Sequence, residues 1–278
     1  MKKKLLLALK IVVSIFLIYL VSRQIDWENT GKLILELSPI SLLGAFLLLN
    51  SSQFVSVRRI NLFYQDLGIQ FPFLQQARLY YVGMFYNIFV PGGIGGDAYK
   101  IYWLKRKNER VSNKSLIQTS LADRLGGLGG ILIVLVLTFF LTPLRENTLY
   151  TTLAIATGVV GIPALGFFIR YVLSAGYPTF WKTLLPSVLV QLLQIGSICL
   201  LLLSWGITGN YELFAFIFLV SSLASVIPIT IAGAGAREIT FSFFSTLFVI
   251  DENVAVTTGL MFFLLTLLSS LIGGFLKV

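Results

Sequence analysis

The stretch "VPGGIGGDAYK", residues 90–100, places a proline, four glycines, an Asp and a Lys inside an otherwise apolar run. Further along, "LADRL" sets Asp123 beside Arg124, and "IPITIAGAGARE" ends on Arg237 and Glu238. The chemistry open to such residues is recognition of a charged group. Glycines permit positive φ and a close backbone approach. A helix starting near Asp97 would aim free N–H groups and its positive dipole end into the break, which suits an anion such as a phosphate. Lys100, one turn on, adds positive charge. Pro91, Gly92, Gly93, Gly95, Gly96, Asp97 and Lys100 are therefore read as one candidate binding segment. Gly92 and Gly96 also fit a small-xxx-small contact between helices, as do Gly126 and Gly130, and the cluster at 126–130 is read as packing. Gly93, Gly95 and Ala98 match G-x-G-x-x-A, but a dinucleotide site needs a preceding strand, and an apolar helix precedes here.

The elements that must carry these residues lie in lipid. The 278-residue chain is 56% hydrophobic and 12% charged, with mean hydropathy +0.88. Soluble domains carry roughly 25% charged residues. The length suits about six to eight membrane segments of roughly 20 residues. One cysteine and no histidine exclude a disulfide within the chain, a Cys/His zinc set and a Ser-His-Asp triad. Cys199 is read as a small buried apolar residue. No metal or cofactor is expected.

Apolar runs predict helices at 5–22 (uncleaved, since Lys10 interrupts it and no small-residue cleavage site follows), 39–57, 73–90, 98–106, 115–141, 148–170, 181–204, 211–250 with a break, and 254–276. Ser38-Pro39 opens the second of these, proline being tolerated in a first turn. Trp27, Trp103, Trp181 and Trp205 are placed at membrane interfaces. The +9 net charge is a topology signal and not a nucleic-acid one, because Lys2–Lys4, Arg58-Arg59, "KRKNER" and Arg170–Lys182 alternate with acidic loops such as Asp251-Glu252. That map predicts a multi-pass protein of the plasma (cytoplasmic) membrane with both termini cytoplasmic and residues 23–38 as a loop outside. It also predicts that both broken segments enter and leave by the same face, from opposite sides of the membrane. The fold class follows: an all-α integral membrane protein of about six spanning helices plus two broken re-entrant hairpins. They form an inverted repeat over about 39–141 and 181–277, helices 5–22 and 148–170 being additional.

Backbone left unpaired at membrane depth must be buried in protein or line a wet cavity. Arg78, Asp97, Lys100, Asp123, Arg124, Arg237 and Glu238 fall within predicted membrane segments. Each costs about 2.5–3.5 kcal/mol if isolated at mid-bilayer. They therefore line a polar path or form structural ion pairs; Arg78 alone is placed to snorkel to the surface.

At "YVGMFYNIFVPGGIGGDAYKIY", "LADRL" and "IPITIAGAGARE" the chain resembles the flippase-like family of the lysylphosphatidylglycerol synthase transmembrane region. The matching positions are Asn87, Pro91, Gly95, Gly96 and Asp97, then Asp123 and Arg124, then Pro228, Gly233, Gly235, Arg237 and Glu238. Lys100 stands where the family often has Arg, Asp123 where it often has Glu, and Ile231 and Ala232 replace a usual Pro and Gly. Relatives join this region to a soluble aminoacyl-transferase domain that is not recognised in this sequence, so synthase activity is not carried over. The resemblance implies translocation or binding of a phosphate-bearing membrane lipid, without a nucleotide-binding motif. The partners are then anionic lipids and, by the same resemblance, a separate synthase or a second copy of the chain; nucleic acid is not among them. A membrane enzyme acting through Asp97, Asp123 or Glu238, and a scaffold with a basic face, are the other readings.

Overall fold

The computed structural model describes residues 27–89, 94–173, 176–226 and 236–278, and among these the regular structure is entirely helical. The predicted helix 5–22 and the tips of both broken segments lie outside the described residues. In order, the helices are α1 (Trp27–Glu36), α2 (Pro39–Asp66), α3 (Phe73–Phe89), α4 (Gly95–Lys107), α5 (Asn113–Phe139), α6 (Thr148–Leu173), α7 (Tyr177–Ser204), α8 (Tyr211–Val226), α9 (Ala236–Phe248) and α10 (Glu252–Ile272). Five of them, α2, α5, α6, α7 and α10, are long and apolar enough to cross a membrane.

Local chemistry sets the ends. The Ser112 hydroxyl accepts the Ser115 N–H at the start of α5, Asn147 Oδ1 accepts those of Leu149 and Tyr150 at α6, and Asp251 Oδ1 accepts that of Val254 at α10. α2 closes on Gly68 at φ +71° and α7 on Gly206 at φ +71°, each with the paired backbone bonds of a left-handed cap.

α2 and α7 form the central antiparallel pair, each 28 residues and so about 42 Å long. Their ends are pinned: the Ser38 N–H donates to Ser204 Oγ at one end, and Thr179 Oγ1 donates to Asp66 at the other. α5 lies against α7 on its glycines. A Cβ at Gly130 would sit 2.4 Å from Ser187 Cβ, and one at Gly129 2.8 Å from Leu184. The packing reading of 126–130 is what the structure shows. Gly130→Leu is expected to push α5 off α7 and cost about 1–3 kcal/mol or more, read as a lower unfolding midpoint in detergent. Gly158→Ala, whose Cβ meets only Val136 at 3.6 Å, should be neutral.

The two hairpins open from opposite ends of the bundle. α3 and α4 start and finish at the basic end, where the Phe71 and Trp103 rings meet 5.2 Å apart and Lys107 lies over Trp103. α8 and α9 start and finish at the other, where Phe216 packs on Phe248 and Ser242 donates to Glu252. Lys105, Arg106, Lys107, Arg110, Lys114, Arg170 and Lys182 gather at the first end, and Glu146, Glu212, Asp251 and Glu252 at the second.

Three expectations change. The second helix runs on to Asp66, because Arg59 is buried and not an exit from the membrane. The segment at 27–36, expected as a loop, is the amphipathic helix α1, whose Leu33 carbonyl accepts the Trp205 indole N–H. Trp103 is core, 7% exposed, while Trp181 is 41% exposed as an interfacial residue would be.

Candidate functional site

α3 and α4 touch backbone to backbone: a Cβ at Gly96 would stand 2.2 Å from the Gly83 carbonyl oxygen, so only glycine fits. The Gly96 N–H donates to Asn87 Oδ1 at 2.7 Å, which ties the first turn of α4 to the last of α3. One N–H that the sequence offered to an anion is thus already used.

Those side chains converge from α4 and α5. Asp97, in the first turn of α4, accepts from Lys100 Nζ at Oδ1 and from Arg124 Nε at Oδ2, both at 2.6 Å. Asp97 and Lys100 are nearly buried, with side chains 15% and 11% exposed, whereas the Arg124 side chain is 42% exposed. Lys100 Nζ also lies over the Tyr80 ring at 5.6 Å. The triad has two cations for one carboxylate.

Next to it is a pair that the sequence reading missed. Arg59 of α2 grips Asp123 of α5 with two bonds, Nε to Oδ1 at 2.8 Å and Nη2 to Oδ2 at 3.2 Å, and its Nη1 reaches Ser187 Oγ of α7 at 3.3 Å. A fork-to-carboxylate bond fixes direction as well as distance. Arg59 stands on a polar stripe of α2 with Asn50, Gln53 and Ser56 at three-residue spacing, neighbours on a helix face. Tyr81 OH and Ser269 Oγ both donate to Asn50 Oδ1 at 2.8 Å, and Tyr80 OH to Gln53 at 3.3 Å. The spacing in "NSSQFVSVRR" carried that signal.

A groove of about 920 Å³ opens between α4 and α5. Ile94, Ala98, Ile101, Tyr102, Ile117 and Leu121 wall it with apolar surface. Asp97 and Arg124 close one end; Lys105 and Arg106 stand toward the other. An acyl chain suits such walls and a phosphate suits such ends.

The second motif is built differently. The Arg237 guanidinium lies against the rings of Phe262 (4.8 Å) and Phe218 (5.2 Å), with Nη1 3.3 Å from Ser221 Oγ. None of the ion pairs among the described residues includes Arg237; cation–π contact takes that role. Glu238 is buried at 5% exposure. The structure therefore gathers Asn87, Gly96, Asp97, Lys100, Asp123 and Arg124 around one site, with Gly95 in the first turn of α4. Pro91, Gly92, Gly93, Pro228, Gly233 and Gly235 lie outside the described residues. Arg78 is exposed.

A family model described as the lysylphosphatidylglycerol synthase TM region matches residues 7–183 and 171–274, most of the chain. No curated protein matches the sequence.

Proposed function

The chain belongs to the lysylphosphatidylglycerol synthase TM region family, and from that premise we propose that it moves, or holds for movement, a phosphate-bearing lipid. The observation that carries this reading is the apolar groove ending on the Asp97–Lys100–Arg124 triad. Acyl chains run along Ile101 and Leu121 while the head group meets charge at either end. Arg124 receives the phosphate, being the most exposed member of the triad and a groove-lining one. Asp97 holds both cations in place and offers an acceptor to an amine. Arg237, over its two rings, serves the hairpin that opens from the other end.

The experiment is a leaflet-resolved assay in liposomes, with a fluorescent phospholipid quenched from outside. Wild-type protein should equilibrate the leaflets, and Arg124→Gln should slow this at least tenfold, a loss of about 1.4 kcal/mol. Unchanged movement in the folded variant counts against the groove. Conversion of a radiolabelled lipid without movement would assign the site to an enzyme.

The charge distribution supports a cytoplasmic basic end in the plasma membrane. A cysteine at Lys182 should then label only from the cytoplasm and one at Asp251 only from outside, in a Cys199→Ser background. The reverse pattern would invert the topology.

A further inference from the structure

A second groove, of about 510 Å³, lies between α6 and the start of α7, away from the charged triad. Its floor is Val160, Pro163 and Ala164, and its basic end carries Arg170, Tyr171, Tyr177 and Trp181. The Arg170 guanidinium rests on two rings, Tyr171 at 5.3 Å and Tyr177 at 5.2 Å. None of the ion pairs among the described residues includes it. Lys182, exposed, follows Trp181. Asp66, the carboxylate at this end of α2, is held by Thr179, which is buried between α7 and α2, whereas Trp181 packs toward α6 on Gly166.

α6 itself is unusual. It spans 26 residues, yet only 11% of its apolar stretch is buried in the protein, so most of that stretch faces outward. It twice widens into a π turn, at Thr157–Gly161 and Ile169–Leu173. Such insertions re-aim side chains and concentrate at functional positions. The groove is bracketed by both: Val159 and Val160 come from the first, Arg170 and Tyr171 from the second.

We infer that this groove holds one anionic phospholipid as a resident lipid, its phosphate on Arg170 between the tyrosines and an acyl chain along Val160 and Pro163. Charge complementarity favours lipid over a second copy of the chain. A copy seated on α6 by its equivalent face would bring apolar surface and another cation to Arg170, not a carboxylate. The resident lipid ties the loosely packed α6 to α7, and its site stands whether or not the groove at Arg124 transports.

The full chain in detergent is titrated with phosphatidylglycerol or phosphatidylcholine, in an Arg124→Gln background that disables the other groove. Phosphatidylglycerol at a hundredfold excess over its dissociation constant should raise the unfolding midpoint by roughly 5 °C, and phosphatidylcholine should not. Arg170→Gln should abolish the rise while its midpoint in phosphatidylcholine and, with Arg124 restored, its lipid movement stay at wild-type values. A photoactivatable phosphatidylglycerol should cross-link within 157–173, and Val160→Trp, which fills the floor, should remove that product even if Arg170→Gln folds poorly. An equal rise in Arg170→Gln, an equal rise with phosphatidylcholine, or a dimer cross-link through Val160→Cys that persists with lipid present would overturn the assignment.

Discussion

Asp123→Ala should destabilise the protein by about 3–5 kcal/mol, the cost of breaking a buried ion pair by removing one partner. The Arg59 and Asp123 side chains are 9% and 10% exposed, so neither can turn to water. Without the carboxylate, two guanidinium bonds are lost and, among the described residues, the cation keeps only Ser187 Oγ, at 3.3 Å, as a hydrogen-bond partner. The damage reaches three helices, since Arg59 is on α2, Asp123 on α5 and Ser187 on α7. The unfolding midpoint in detergent should drop sharply, or folded protein should be lost during purification. Arg59→Met/Asp123→Leu distinguishes charge from packing: a buried pair replaced by apolar side chains of similar volume is often neutral or stabilising. The double variant should recover most of the midpoint. If Asp123→Ala alone unfolds at the wild-type temperature, the pair does not clasp the bundle.

That pair also shows where sequence reading stops. The spans were legible because apolar runs of membrane length are a local signal, and α5, α6, α7 and α10 fall within a few residues of expectation. The hairpins were legible because charge at their flanks has to lie outside the hydrocarbon. Arg59 was not, because its partner is 64 positions away and Arg58-Arg59 looks like a cytoplasmic flank. Arg58 does behave so, lying over the Phe73 ring at the basic end. α1 left a signal that the loop assignment overrode: Glu28, Lys32 and Glu36 repeat every four residues, and Lys32 bonds Glu28 at 2.7 Å. Arg237 was read as lining a polar path or forming an ion pair, and what its guanidinium rests on is Phe218 and Phe262, which supply the negative faces of their rings. Aromatic residues are so common in this chain that nothing marks those two in advance.

Asp97→Asn is expected to slow lipid movement at least tenfold while tightening the hold on anionic lipid, the opposite binding change from Arg124→Gln. The reason is the charge count at one carboxylate. Asp97 gives Oδ1 to Lys100 and Oδ2 to Arg124, leaving the triad with one net positive charge. With Asn both cations lose the carboxylate they share, and a phosphate beside them is held more tightly, so the head group enters readily and leaves slowly. Lys100, 8% exposed, also loses its carboxylate. An isolated cation at mid-bilayer costs about 2.5–3.5 kcal/mol, so part of the effect will appear as instability. Asp97→Asn/Lys100→Met tests the charge count, because it removes the orphaned charge and returns the site to one net positive charge, so both the unfolding midpoint and the hold on anionic lipid should move back toward wild type. Vesicle flotation over phosphatidylglycerol measures the hold and the quenching assay measures the rate. Wild-type rates in Asp97→Asn and in Arg124→Gln, both folded, would reduce the triad to scaffolding between α4 and α5 and remove the ground for the transport reading.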